Sequence, residues 1–431
     1  MDPARRSLTA RLPLLAAAAA AAPAASALSA VSAADAACAA VAAACASAAA
    51  AARDPAGDDA WAPVPVTGRT LRVGPGGALR TIADAARSAR DGDLVEIAAG
   101  DYPADVALWL QRRLTIRAVG GPVRLRAEGA SVEGKAIWVL RDGEFDVSGI
   151  TFEGARVPGR NGAGIRFERG RLVLRHCRFV DNEMGVLTGN DPSARFAVRS
   201  CEFVGAAPEE SLSHNLYVGT IARFDMAASR SSHARHGHLV KSRASVCHLT
   251  ANRLADGPGG YASYELDLPN GGVAVLVGNV FVQSPSTEND VVVAYGAEGY
   301  RWPRNALVMS HNTLVNQRAD GVFVRVFPGP GEVIARNNLW VGEGRFDGCA
   351  PRAADGNHAV SPSRLVNPDA GDYRLLPRSP LKAKAVDAGQ FDGASLRPRS
   401  QYVDPMSSVA LRADGPLDPG ALQGARAPPG R

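Results

Sequence analysis

From residue 148 onward the chain keeps returning to one short phrase: a turn, an inward-facing residue, a polar residue and a large apolar one. The copies read "GITFEG", "HCRFVD", "SCEFVG", "ANRLAD", "GNVFVQ", "HNTLVN" and "RNNLWV". Their apolar members are Phe152, Phe179, Phe203, Leu254, Phe281, Leu314 and Leu339. Two positions before each stand Ile150, Cys177, Cys201, Asn252, Asn279, Asn312 and Asn337. Neighbouring copies lie 24 to 33 residues apart, except for a gap of 51 that splits if "ARF", ending at Phe224, is a degenerate copy. Self-similarity at this period marks a repeat architecture in which each unit buries its apolar face on the next. A column that passes from cysteine to asparagine within one register reads as a stack at a turn. Asparagine there hydrogen-bonds along the stack and tolerates left-handed backbone.

Between the phrases run short segments of apolar and β-branched alternation, "RLTIRAV", "GIRFE", "RLVLRHC", "FAVRSC" and "VAVLVGN". No helical periodicity separates them. Strands this close, with no crossover helices, stay parallel only by coiling as a solenoid. The expectation is an all-β fold, a single-stranded right-handed parallel β-helix over residues 67–389, opened by a short capping helix from Leu79 to Arg90. "LRVGPGGALRTIADAARSARDGDLVEIAAGDY" and the closing "DYRLLPRSPLKAKAVDAG" resemble the first coil and the last phrase of the pectin-lyase-like superfamily. That resemblance implies the same fold.

The flanks read differently. Residues 1–30 have a basic start, an apolar stretch from Leu12 to Ala22 and small residues at Ala25, Ala27 and Ala30, the pattern of an export signal. Alanine dominates the stretch, which argues against a permanent membrane span. Residues 31–66 read as an alanine-rich disordered linker, and 390–431, rich in Pro, Gly and Arg, as an irregular tail. The expected location is therefore periplasmic or extracellular, and the expected state a monomer. A formal charge of +5 over 431 residues, with no dense Lys/Arg run, permits an anionic substrate but makes no nucleic-acid track. The cysteines lack zinc-ligand spacing, and Cys177 and Cys201 fit the stack as free thiols better than as a disulfide.

The chemistry gathers around "GHLVKSRASVCHLTANRL" (Gly237 to Leu254). Lys241 and Arg243, two apart on a strand, share a face. Tyr217 and Gly219 stand 24 residues before them, and Glu265 and Asp267 stand 24 after. A constant coil length puts Tyr217, Lys241 and Glu265 in one outward stripe, with Gly219, Arg243 and Asp267 beside it. A run from Met226 to His238, read as an insertion, walls one side, and His238 itself, out of phase with Lys241, is expected to point inward. Such groups suit proton abstraction next to a carboxylate, as at C5 of a uronic acid. Arg243 can grip the carboxylate, Lys241 or Tyr217 can take the proton, and Tyr217 or His214 can protonate the leaving oxygen. Asn215, His236, Tyr264 and Asn270 flank the stripe as substrate-binding candidates. Glu265 and Asp267 would hold the lysine protonated unless they bind a Ca²⁺ ion.

"HLVKSRASVCHLTANRL" resembles the corresponding coil of β-helix polysaccharide lyases of the alginate lyase and chondroitinase B kind. By that resemblance Lys241 is the Brønsted base and the substrate an acidic polysaccharide. The arginine those enzymes carry within an R-H-G phrase about one coil later has no counterpart in "YASYELDL", while "RHG" occurs earlier, at Arg235 to Gly237. The rival readings are a uronate C5-epimerase, which shares the first step, and a non-catalytic polysaccharide-binding protein. A paired-acid glycoside hydrolase fits less well, because cations beside Glu265 and Asp267 leave neither as an acid.

Overall fold

Each repeat of the phrase turns one corner of a three-sided coil. The computed structural model describes residues 59–205, 213–329 and 331–424. The export signal, Cys38, Cys45 and most of the linker lie outside the described residues. Three parallel sheets run the length of the molecule, joined as a right-handed solenoid of about ten turns. One sheet runs from Thr70–Val73 to Glu332–Arg336, and a second begins in the far ends of the long Leu94–Pro103 and Arg113–Arg126 strands and ends at His358–Val360. The third has ten strands, from Ala107–Trp109 through Leu216–Val218, Val240–Ser242 and Leu266–Leu268 to Arg345–Gly348. Among the described residues, antiparallel pairing is limited to an isolated bridge between Val132 and Ala136 and three short hairpins after residue 364.

The interior is built from aligned columns, because parallel pairing sets equivalent residues one strand spacing apart. Phe152, Phe179 and Phe203 pair in register and stack with ring centroids 5.0 and 4.8 Å apart and planes within 6°. Each stacked pair adds about 0.5–1.5 kcal/mol beyond area burial. The column continues through Ser231, Leu254, Phe281 and Leu314 to Trp340, not Leu339. Phe224 belongs to another column, between Phe196 and Cys247. The missing copy is thus "SRSS", and the stretch after Met226 is not an insertion but a regular coil with its own strand at Arg230–Ser232.

The polar column shifts with it. Asn252, Asn279, Asn312, Asn338 and Asn357 form one ladder in which the side-chain oxygen of each of the last four accepts the backbone N–H and, at 2.9–3.1 Å, the side-chain amide of the asparagine one coil earlier. Asn337 is not in it; its left-handed φ of 57° makes the turn just before. On the other side Ser229, Cys201 and Cys177 continue the ladder by the same backbone contacts, and both cysteines are free and buried. Their chemistry is that of small buried residues.

The ends are more ordered than their composition implies. The helix spans Ile82–Ser88, N-capped by Thr81, whose hydroxyl accepts the Asp84 N–H. Within the stretch read as linker, residues 59–66 lie on the first sheet: Val64 is buried, Trp61 stacks on the Arg199 guanidinium, and Arg171 and Arg175 donate to carbonyls of residues 60–62. Within the stretch read as an irregular tail, Gln390–Phe391 with Ala394–Ser395 and Ser400–Val403 with Ser407–Ala410 form hairpins. Phe391 and Leu396 pack on Val273, Val308 and Ile334, and Thr313 accepts the Ala421 N–H. No helix among the described residues is long and apolar enough to cross a membrane.

Candidate functional site

On the third sheet the inward column is apolar, Val186, Leu216, Val240, Leu266, Val293, so the intervening residues face out. The outward column reads Arg166, Leu187, Tyr217, Lys241, Asp267, Ala294, Arg325. Tyr217 and Lys241 are neighbours, as the 24-residue spacing predicts. Glu265 is not the next member: Asp267 is. The coil between Lys241 and its partner has 26 residues, two more than the one before, which the loop at Gly257–Gly260 accommodates. Two extra residues keep the alternation intact, so the partner falls two positions later and Glu265 is left at the bend before the strand.

Asp267 is buried, its Oδ2 lying 3.0 Å from Lys241 Nζ and 3.3 Å from His238 Nε2. Burial opposes its ionisation, but the His238 hydrogen bond and the Lys241 charge outweigh burial and hold its carboxyl below the usual range. Glu265, by contrast, is fully enclosed, and neither carboxylate oxygen has a hydrogen-bond partner. Burial, reinforced by the charge of Asp256, pushes its carboxyl well up. A Ca²⁺ cage asks for six to eight oxygens converging on one point. Asp267 Oδ2 is already held by the Lys241 ammonium and the His238 imidazole, and no group of three or more His, Cys, Asp or Glu gathers in a metal-ligating arrangement among the described residues. The residues present do not fit the ion.

Arg243 lies beside Lys241. Its guanidinium donates to the Tyr217 hydroxyl and sits 5.1 Å from that ring's centroid. It also grips Glu298, with Nη2 at 2.7 and 2.8 Å from the two carboxylate oxygens and Nε at 3.1 Å. Lys241 Nζ reaches the same Glu298 at 3.2 Å. Glu298 comes from the loop after Val291–Tyr295, 55 and 57 residues beyond its two partners, and nothing in the sequence signals its arrival.

The remaining candidates form a flank. His214, His238 and Tyr264 stack on successive coils with ring centroids 4.7 and 4.9 Å apart. His214 Nδ1 accepts the His238 N–H at 2.9 Å, and His238 Nδ1 accepts the Tyr264 N–H at 3.3 Å. An Nδ1 that accepts leaves the proton on Nε2, which for His238 points at Asp267. His238 therefore belongs to the site and does not point inward; the chain bends at Leu239, and strand phase does not carry across a bend. Burial, then the charges of His238, Lys241 and Arg243, keep His214 neutral by lowering its pKa well below the ordinary value. His236 meets Tyr261 edge to face and lies 3.5 Å from Glu288, one step along the same edge. Asn215 is structural: buried, it donates to Ser231 and to the Ser232 carbonyl. Asn270 is buried too, and its backbone carbonyl anchors the Glu298 loop by accepting the Arg301 N–H at 3.1 Å.

A three-sided parallel β-helix with a cationic, tyrosine-bearing stripe on one sheet defines a protein with the pectate lyase β-helix fold. Among solved structures the chain is similar to the crystal structure of the pectate lyase Pel9A, with a TM-score of 0.54 at 13% sequence identity, covering 83% of this chain and 97% of that one. At that identity the likeness shows the fold alone. No family model matches the chain, and no curated protein matches it in sequence.

Proposed function

We propose that this chain is an exported polysaccharide lyase that cleaves a uronate-containing polymer by C5 proton abstraction and β-elimination. The observation that carries the reading is the way Arg243 and Lys241 together hold a carboxylate, with the Tyr217 hydroxyl on the same guanidinium. A uronate carboxylate in that grip has its developing enolate charge neutralised by Arg243, bidentately and at short range. Lys241, paired with Asp267 and Glu298 in the resting site, first gives its own proton to solvent as the uronate replaces Glu298 and then takes the C5 proton; the C5–H electrons become the C4–C5 double bond, and the C4–O bond breaks. The leaving oxygen takes the Tyr217 proton, and Arg243 stabilises the phenolate that remains. Asp267 positions the lysine and is itself fixed by His238. The pectate lyase fold and the export-signal pattern of residues 1–30 support an acidic polysaccharide met outside the cytoplasm.

The test is incubation of the purified protein with a panel of uronate polymers, following the ultraviolet absorbance of the unsaturated product. A rise supports the lyase. Flat absorbance with inverted C5 stereochemistry replaces it by an epimerase, and binding with neither change by a non-catalytic protein.

A further inference from the structure

We infer that Glu298 is an internal stand-in for the substrate's carboxylate, occupying the uronate seat on Arg243 and Lys241 until a polymer carboxylate displaces it. The inference rests on the uronate reading above and adds to it a residue that sets what the site admits. Three features of the geometry point this way.

First, the Glu298 carboxylate meets Arg243 with the two-oxygen geometry that a guanidinium offers a planar carboxylate, and at the same time meets Lys241. Both cations are largely shielded, with side-chain exposures of 17% and 12%, whereas the Glu298 side chain is 42% exposed. The cations are thus built into the wall, and the carboxylate reaches them from the solvent side.

Second, the loop that carries Glu298 is tied down independently of that carboxylate. Glu298 N–H donates to the Pro269 carbonyl at 2.8 Å, Arg301 N–H to that of Asn270 at 3.1 Å, and Trp302 Nε1 to that of Arg243 at 3.1 Å. Tyr300 reaches the Phe327 carbonyl at 2.8 Å. The side chain can leave its seat by rotamer change while the loop stays in place, so exchange for a ligand does not require unfolding the loop.

Third, the pairing makes the site selective. A neutral sugar offers Arg243 hydroxyls against an ionised carboxylate and does not displace it; a uronate offers the same group as Glu298 with additional contacts along the chain. Glu298 therefore raises the threshold for occupancy to carboxylate-bearing polymers.

The experiment is calorimetric titration of the full chain with oligogalacturonate, oligoglucuronate and oligomannuronate, and with neutral oligosaccharides of the same length, read as affinity and not as turnover. Wild type, Glu298→Gln, Glu298→Asp and Arg243→Ala are compared, with melting temperatures to confirm folding. Removing an exposed competing ion pair is expected to tighten oligouronate binding about two- to fivefold in Glu298→Gln. Glu298→Asp, which keeps the carboxylate, should stay closer to wild type, and Arg243→Ala should lose the affinity. Equal oligouronate affinity in wild type and Glu298→Gln overturns the stand-in and leaves the uronate reading standing. No oligouronate binding even to Glu298→Gln overturns both.

Discussion

Lys241 stands opposite Asp267 across two parallel strands, Nζ to Oδ2 3.0 Å, and the pair is shielded enough that neither charge is met mainly by water. Removing Asp267 leaves Lys241 only the more exposed Glu298 as a counter-charge and takes the acceptor from His238 Nε2, which costs more than the pair itself contributes. Asp267→Asn should therefore lower unfolding free energy by about 1–3 kcal/mol at neutral pH. The folded carboxyl titrates below its unfolded counterpart, so its contribution is present above the unfolded value near 3.8 and lost as pH falls through the folded one. Denaturant titrations from pH 2 to pH 7 check this: the variant's deficit should shrink toward the acid end, and a deficit constant with pH would contradict the assignment.

Asp256 and Glu265 act in the opposite sense. Burial raises Asp256 from 3.8 to about 7 and pushes Glu265 well up. A raised folded pKa gives stability that is complete below the unfolded value and is lost as pH climbs toward the folded one. Asp256→Asn, which keeps an oxygen to accept the Ala262 N–H seen at 2.9 Å, should flatten the decline between about pH 4 and pH 7. Glu265→Gln should flatten what remains above it. Melting temperature against pH for the three proteins is the check; parallel curves would count against burial as the cause.

The asparagine ladder should behave as one structure. Asn279 donates to the Leu249 carbonyl at 2.8 Å and to Asn312 at 3.1 Å, and accepts both amides of Asn252 at 3.0 Å. Asn279→Ala orphans partners that no water reaches, at a cost of about 2–4 kcal/mol for the group. Asn279→Ala and Asn312→Ala remove the same shared bond, so their losses should fall short of additive by about 0.5 kcal/mol or more. Urea unfolding of the single and double variants decides it, and strictly additive losses would separate the two side chains into independent sites.

How much of this was legible depends on what side-chain alternation carries. Parity along a strand survives any even change of coil length, so the inward columns and the facing of Tyr217, Lys241 and Arg243 were readable from spacing alone. The same parity cannot separate Glu265 from Asp267, because two extra residues in the preceding loop keep the phase; what separates them is the bend at Glu265, which encloses its side chain while Asp267 stays on the strand. Tandem Asn337-Asn338 followed by Leu339-Trp340 offers two equivalent registers, and the choice between them is made by the turn, where Asn337 takes left-handed φ. His238 was misplaced because parity was carried across a bend. Glu298 left no trace at all: a loop residue 57 positions from its partner has no periodicity to betray it.

The central claim is that Lys241 is the base, and the most direct measurement is product formation by Lys241→Arg on whichever uronate polymer the wild type cleaves. Arginine keeps the positive charge beside Asp267 but does not deprotonate near neutral pH. The account predicts that unsaturated product falls by about a thousandfold or more, within the range that loss of a general base and its positioning allows, while melting temperature and oligouronate affinity stay close to wild type. Turnover within about tenfold of wild type would mean that the lysine serves only as a charge, and the assignment of the base would be wrong.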